Sequence, residues 1–516
     1  MADKQGQDCL YKAQAAQTPS ISELTELAQE LGLHCKDGEL EHLQDHMGET
    51  LAGSYQTISD LVAPTLPVKY PRVPGYRPEP EDNQCNAWYW KCNIEGAPEG
   101  KLKGKTFGIK DNTCVAGVPM MNGSKIMEGF VPDIDATVIT RILDAGGRIL
   151  GKTNSEHMCF SGSSWTNDTG PTLNPHDKSR SAGGSSGGSA VAVYNGDVDM
   201  AIGGDQGGSI RIPASWCGIV GYKPTWGLVP YTGALPIEIT CDHLGPMARN
   251  VRDCALLLEV IAGYDEGRDS RQPRDLEVPK YTELLDGKLE GWKIGLVTEG
   301  FTGCDSDAQS IVREAAQQLS KAGAQVEDVS VPMHTHGFAI WSPIFIEGTY
   351  QCMVRGVGAG YHYKGYYGES VMTKLSHGYK MEAKQLSETM KLVCMFGKYI
   401  EKVYGNRFYG RAQNLNMKLT KAYDEALLKY DVLVMPTLPY KAPLLPKKDC
   451  TLPERLKNAL GMLKNTAPFD STGHPALTLN AGYSEGLPIG MMIVGKQFED
   501  AKVLQAAFAF EQLQKK

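Results

Sequence analysis

The sequence has no run of about 18 consecutive apolar residues, so a membrane-spanning helix is not expected. Its first residues, MADKQGQDCLYK, hold no apolar signal core, which predicts a chain that is not exported. No CxxC or CxxxC pair occurs among the 13 cysteines, and no cysteine–histidine group has zinc-site spacing. An odd, scattered set of cysteines in 516 residues points to reduced thiols in the cytoplasm rather than to a disulfide framework. His334-x-His336 is the nearest approach to a metal motif, and it reads as structural. There is no basic stripe and the net charge is −8, which argues against nucleic acid as a partner. No repeat of solenoid period is visible.

What the chain does have is glycine and serine concentrated in one place. Ser181 to Pro213 reads SAGGSSGGSAVAVYNGDVDMAIGGDQGGSIRIP. A Gly/Ser linker would be polar throughout. Here the apolar runs AVAV (190–193) and MAI (200–202) require burial. Glycines around Ser185 and leading into Ser209 let a backbone or a ligand approach closely and keep both serines accessible.

The rest of the chain frames this stretch. Ile21, Leu24, Leu27 and Leu31, then Leu40, Leu43, Met47, Leu51, Tyr55, Ile58 and Leu61, recur at helical spacing. Ser20 and Glu23 form a capping-box pattern at the start. Six prolines between 64 and 80 read as a stiff linker, so residues 1–80 are expected to be a helical arm plus linker, suited to dimerisation or to packing on the main body. From about residue 89 short strands and helices alternate, which predicts an α/β domain with a largely parallel sheet. LKGKTFGIKD gives a strand ending at Lys110, 136–146 a helix closed by glycine, and RILGKT a strand. Core segments are expected at 81–276 and 431–516. A smaller helical, aromatic insertion is expected at 277–430, with Trp341, Phe345, Tyr350, Tyr361, Tyr363, Tyr366 and Tyr367. A helix over 411–430, a buried strand over 431–437 and a closing helix near 499–514 complete the pattern.

Gly146 to Thr153, GGRILGKT, matches the phosphate-loop pattern GxxxxGK[ST], which would imply ATP. A phosphate loop follows a strand and opens a helix. Here a helix precedes the motif and Arg148-Ile149-Leu150 reads as buried strand, so the match is taken as accidental.

A serine hydroxyl needs a base to attack a carbonyl. One reading is a Ser-His-Asp triad: Gly183-x-Ser185-x-Gly187 matches the GxSxG elbow, with Asp470 and His474 late in the chain. The elbow should follow a strand directly, and DKSRSA (177–182) is polar and loop-like. Cys159, with His157 nearby, is a weaker nucleophile candidate.

Several separated blocks offer another reading. FGIKDN (107–112), GKTN (151–154), NP (174–175), GGSSGGS, DQGGSIRIP, GYKPTWG (221–227), DHLGP (242–246) and NTAPFDSTGHPALTLNAG (465–482) resemble the amidase signature family of amide hydrolases. PMMNGS, GGDQGGSIRIP, LVPYTGA and DVLVMPTLPY look most like bacterial amidases that act after nitrile hydratases. The resemblance covers most of the chain from about residue 89. It implies an α/β fold with a large mixed or mostly parallel sheet covered by helices on both faces. It also implies a Ser-Ser-Lys triad: Ser209 as nucleophile, Ser185 as bridging serine, Lys110 as base, with a cis Gly184–Ser185 peptide. Gln206, Gly207 and Gly208, with Ser209, match the oxyanion-hole loop. Cys159 and Phe160 match a segment lining the acyl site. Trp341, Leu460 and Leu463 are lower-ranked candidates for an apolar wall.

Lys110 follows the apolar FGI, which is compatible with the burial that would lower its pKa for a base role; the residues alone fit equally a lysine salt-bridged to the neighbouring aspartate at a strand end. Asp205 and Arg211 are expected to brace the Ser209 loop through a salt link. No metal and no organic cofactor are implied. The expected partner is a small-molecule amide, with a homodimer as the expected assembly. Carbamates, hydrazides and fatty acyl amides, an amidotransferase of the A type, and a non-catalytic binder on the same fold stay open as alternatives.

Overall fold

Short apolar segments closed by glycine or polar turns give strands, and they assemble around the Gly/Ser-rich stretch. The computed structural model describes residues 16–358, 360 and 363–515. Residues 1–15, read above for a signal core, and Tyr361 lie outside the described residues. The chain separates into two units, Met1–Leu66 and Pro67–Lys516.

In the first unit Ile21–Leu31 and Glu39–Thr50 are helices, the latter continuing through Leu51–Tyr55 into Gln56–Asp60. The Ser20–Glu23 capping box is present: Glu23 N–H donates to Ser20 Oγ at 3.2 Å and Ser20 N–H to Glu23 Oε2 at 2.7 Å.

The second unit holds one sheet of 11 strands. They are β1 (Trp88–Glu95), β2 (Thr106–Lys110), β3 (Arg148–Thr153), β4 (Met200–Asp205), β5 (Val220–Lys223), β6 (His243–Ala248), β7 (Lys293–Val297), β8 (Gln325–Val329), β9 (Val432–Pro436), β10 (Ala476–Ser484) and β11 (Leu487–Val494). Their order is β1-β3-β2-β4-β6-β5-β10-β11-β9-β7-β8. The sheet is mixed rather than largely parallel. Pairings are parallel only at β2–β3, β2–β4, β7–β8 and β7–β9; the β4–β6–β5–β10–β11–β9 run is antiparallel. The antiparallel β10–β11 hairpin separates the two parallel groups, a turn-closed pair that alternation of strands and helices does not announce.

The helix Thr137–Asp144 packs four side chains, Val138, Ile139, Ile142 and Leu143, wholly inside. At about 1.5–3 kcal/mol per large apolar side chain, such burial and not helix propensity holds an eight-residue helix in place. β7 and β8, within the stretch expected as an insertion, extend the central sheet. Between β7 and β8 that stretch holds the helix Ser306–Gln318, and after β8 it runs through the helices His334–Thr349, Glu369–Glu382, Glu388–Tyr404 and Arg407–Leu427. The proline-rich segment is tied to the sheet edge, where Tyr76 and Lys91 exchange backbone hydrogen bonds at 2.8 Å.

Parallel pairing of β2 with β4 brings both carboxyl ends to the same side of the sheet, the usual location of sites in such sheets. Lys110 ends β2 and Asp205 ends β4. GGRILGKT spans the entry into β3 and the whole of that strand, not a strand-to-helix loop. Lys152 is buried 3.1 Å from Asp111 Oδ1, so its ammonium is committed to the interior.

Candidate active site

Lys110 and Ser185 are both wholly buried. Lys110 Nζ donates to Ser185 Oγ at 2.8 Å and to the Gly204 carbonyl at 2.9 Å. Burial lowers the Lys110 pKa, and the nearby Cys159, Asp205 and Asp242 only partly oppose that. The Gly184–Ser185 peptide is cis. The helix Gly187–Asn195 starts just after Ser186. Ser186 N–H donates to the Ser209 carbonyl at 3.2 Å, which places the two Gly/Ser blocks against each other. Ser209 keeps 8% of its surface exposed, whereas Ser185 keeps none, so of the two serines Ser209 is the one a ligand can reach.

Asp205 organises the Ser209 loop. Its carboxylate accepts from the backbone N–H groups of Gly208 (2.6 Å), Ile210 (3.0 Å) and Arg211 (3.3 Å). It also accepts from Arg211 Nε and Nη2, both at 3.0 Å. Although burial opposes it, the Arg211 guanidinium holds the Asp205 carboxyl well below the usual carboxylate range. The expected salt link is therefore present and fully buried. Arg211 reaches further, to Asp470 Oδ2 at 2.7 Å and to the Thr466 carbonyl at 2.9 Å. Burial and the neighbouring Asp205 carboxylate push the Asp470 carboxyl up.

Because Gly208 N–H is already given to Asp205, it cannot also point at an oxyanion. The N–H groups of Gly207 and Ser209 have no acceptor among the described residues. Gly208 sits at φ +137°, a conformation open to glycine. A Cβ on Gly207 would lie 2.8 Å from Trp341 Cζ2. Trp341 Nε1–H donates to the Gln206 carbonyl at 2.9 Å, and Gln206 Nε2–H donates to the Tyr231 hydroxyl at 3.0 Å. Thr466 Oγ1–H donates to the Gly207 carbonyl at 2.6 Å.

Phe160, Phe345 and Trp341 form one stack, with ring centroids 4.9 Å and 4.4 Å apart. Cys159 is buried at φ +59°, with its thiol 3.1 Å from Asn122 Oδ1 and next to Lys110 and Ser185. Burial pushes that thiol up, the opposite of an activated nucleophile. Leu463 is buried one turn before Thr466, while Leu460 is half-buried at the end of the helix Leu452–Leu460.

The Ser-His-Asp reading does not survive. His474 bonds with Thr472 Oγ1 (3.0 Å) and Asp424 Oδ1 (3.3 Å), and Asp470 belongs to Arg211. His334 spans Tyr423 and Asn465 (2.7 and 3.2 Å), as a structural histidine does, and no cluster of three or more metal-ligating side chains occurs among the described residues. Residues missed from sequence are Thr466, Tyr231 and the bracing role of Asp470. Thr466 and Asp470 lie in the late block 465–482, which carried the signal without saying which side chains face the loop.

Comparison with known proteins agrees with this geometry. A family model described as Amidase matches residues 80–504. An enantioselective amidase of Rhodococcus rhodochrous is 47% identical over 439 residues, 84% of this chain and 84% of that one. The A-type component of the glutamyl-tRNA(Gln) amidotransferase of Methanosarcina mazei is 37% identical, over 82% of this chain and 86% of its own. The native peptide amidase of Stenotrophomonas maltophilia superposes with a TM-score of 0.67 at 30% identity, covering 80% of this chain and 83% of its own. The chain belongs to the amidase signature family, a family of amide hydrolases.

Proposed function

We propose that the chain hydrolyses carboxylic acid amides to the acid and ammonia or an amine through an acyl-enzyme on Ser209. The observation that carries this reading is the buried 2.8 Å contact from Lys110 Nζ to Ser185 Oγ. Lysine accepts a proton only when neutral, and its desolvated position favours that form. Ser185 passes the Ser209 hydroxyl proton to Lys110 as Ser209 Oγ bonds to the carbonyl carbon. The N–H groups of Gly207 and Ser209, on the loop that Gln206 opens, stabilise the oxyanion. The proton returns through Ser185 to the amide nitrogen, the C–N bond breaks and the amine leaves. Water repeats the relay and releases the acid.

Phe160 and Trp341, stacked through Phe345, form the acyl wall, and Cys159, Leu460 and Leu463 are assigned to the same wall. Asp205 and Arg211 position the loop. No step calls on a metal or organic cofactor. A cytoplasmic location agrees with the 12 free cysteines among the described residues. A homodimer through the N-terminal helices agrees with Leu27, Leu31, Leu43, Met47 and Ile58 being exposed on them.

The test is hydrolysis of a panel of primary amides, anilides, carbamates and glutamine by wild type, Ser209→Ala and Lys110→Ala. Turnover of an amide by wild type, lost in both folded variants, is expected. Full activity of Lys110→Ala at neutral pH would remove lysine from the relay.

A further inference from the structure

Ser185 can relay a proton only while its hydroxyl stays on Lys110, and its own neighbours cannot hold it there. Gly183, Gly184, Gly187 and Gly188 offer no side chains to pack. The backbone is held from outside, by the segment 154–166 that follows β3. Glu156 N–H donates to the Ser185 carbonyl at 3.2 Å, Gly184 N–H to the Gly162 carbonyl at 2.9 Å, and Gly188 N–H to the Asn154 carbonyl at 3.1 Å. Ser181 Oγ–H donates to the Ser163 carbonyl at 2.7 Å.

That segment has little regular structure of its own: its one helical turn is His157–Cys159. Its shape comes from the Glu156 side chain, which is buried. Oε2 accepts from Thr166 Oγ1–H at 2.7 Å and from Ser163 Oγ–H at 3.3 Å. Thr166 N–H lies 3.3 Å from both carboxylate oxygens. Thr166 Oγ1 in turn accepts from His157 N–H at 3.1 Å. The carboxylate therefore ties residues 7 and 10 positions downstream back to the start of the segment and closes it into a loop. The stem of the same side chain presses on the glycine before Ser185: a Cβ on Gly184 would lie 2.7 Å from Glu156 Cγ. One residue thus shapes the clamp, packs against Gly184 and bonds the Ser185 carbonyl.

We propose that Glu156 is a positioning residue for Ser185: it closes the loop 156–166 onto the Gly184–Ser185 backbone and so keeps Ser185 Oγ at hydrogen-bond distance from Lys110 Nζ. The inference rests on the amidase reading for the task it gives Ser185, but the positioning can be tested without amide turnover.

The experiment measures kcat/KM for benzamide and for 4-nitrophenyl benzoate in wild type, Glu156→Ala, Glu156→Gln and Thr166→Val. Both substrates need Ser185 to pass the Ser209 proton to Lys110. Only the amide needs Ser185 to return a proton to the leaving group, because 4-nitrophenolate departs without one. A displaced Ser185 therefore lowers the amide-to-ester ratio, which a loss of folded protein or a disturbed acyl wall leaves unchanged. In Glu156→Ala the ratio should fall about tenfold, within a loss of amide kcat of about 100-fold, the cost of a shift on the order of 1 Å. Glu156→Gln can keep an oxygen at the Oε2 position and should stay nearest to wild type. Thr166→Val removes the 2.7 Å bond at nearly constant volume and should lie between the two, and it keeps the test decisive if Glu156→Ala does not fold. An unchanged ratio in every folded variant, or an equal fall in Glu156→Gln and Glu156→Ala, would overturn the proposal. In parallel, the rate at which a fluorophosphonate labels Ser209 is followed in the same proteins. Labelling slowed in Glu156→Ala or Thr166→Val and restored in Glu156→Gln supports the positioning role even if benzamide is not hydrolysed, which would count only against the amidase reading. Labelling at the wild-type rate in both Glu156→Ala and Thr166→Val counts against the positioning role.

Discussion

Asp205→Asn tests the bracing of the Ser209 loop with almost no change in volume. The native carboxylate accepts five N–H donors, two at Oδ1 and three at Oδ2. An asparagine amide presents one acceptor and one NH2 group. In the better of its two orientations the oxygen keeps three donors and the NH2 faces the N–H of Gly208 and Nη2–H of Arg211. The substitution also leaves Arg211, wholly buried, with Asp470 as its one carboxylate partner among the described residues. Removing one member of a buried ion pair costs about 3–5 kcal/mol. The remaining Asp470 contact places this site at the lower end, about 3 kcal/mol. A freed Gly208 N–H lets the loop move, and a shift on the order of 1 Å at a reacting group costs about 100-fold in rate. Urea unfolding followed by tryptophan fluorescence reads the first effect, and kcat of the folded enzyme reads the second. If Asp205→Asn keeps both its unfolding midpoint and kcat within twofold of wild type, the loop does not depend on this carboxylate and the reasoning fails.

Three other consequences follow from buried groups. His334 accepts from the Tyr423 hydroxyl and donates to Asn465 as a neutral imidazole, and burial pulls its pKa down to about 4. Below about pH 6.5 the unfolded chain takes up a proton that the folded chain refuses until about 4, so stability falls across that window by about 3 kcal/mol. His334→Gln should flatten the dependence of the urea midpoint between pH 7 and pH 4; an unchanged slope would contradict it. Gly207→Ala forces its Cβ to within 2.8 Å of Trp341 Cζ2, and kcat should drop at least tenfold while the melting temperature changes little. Lys152→Met strands the buried Asp111 and should destabilise by about 3 kcal/mol in denaturant, whereas ATP titrated into wild type should bind nowhere.

Much of this was legible before the structure, for reasons specific to certain residues. Lys110 ends a strand because FGI is apolar and DN begins a turn; its burial was compatible with that pattern, but only the resemblance set it apart from a lysine paired with Asp111 at a strand end. GGRILGKT was separable from a phosphate loop because a helix precedes it. The Asp205–Arg211 link was readable because both charges sit in an apolar frame. The sheet's antiparallel centre was not, since short buried strands look alike in either direction. Nor was the competition for Gly208 N–H, which depends on how the Asp205 side chain turns back on its own loop. The Phe160–Phe345 stack and the Arg211–Asp470 bond join residues 185 and 259 positions apart, beyond the reach of local periodicity. Asp470 and His474, four residues apart in a triad-like order, are drawn in sequence as partners and in space to different neighbours.

The most direct test of the account is a rapid-quench reaction with a slowly hydrolysed amide, followed by peptide mapping by mass spectrometry, in wild type, Ser209→Ala and Lys110→Ala. The account predicts an acyl adduct on Ser209 in wild type, none in Ser209→Ala, and accumulation slowed at least 100-fold in Lys110→Ala. An adduct on Ser185 or Cys159, or turnover in Ser209→Ala at the wild-type rate, would contradict it.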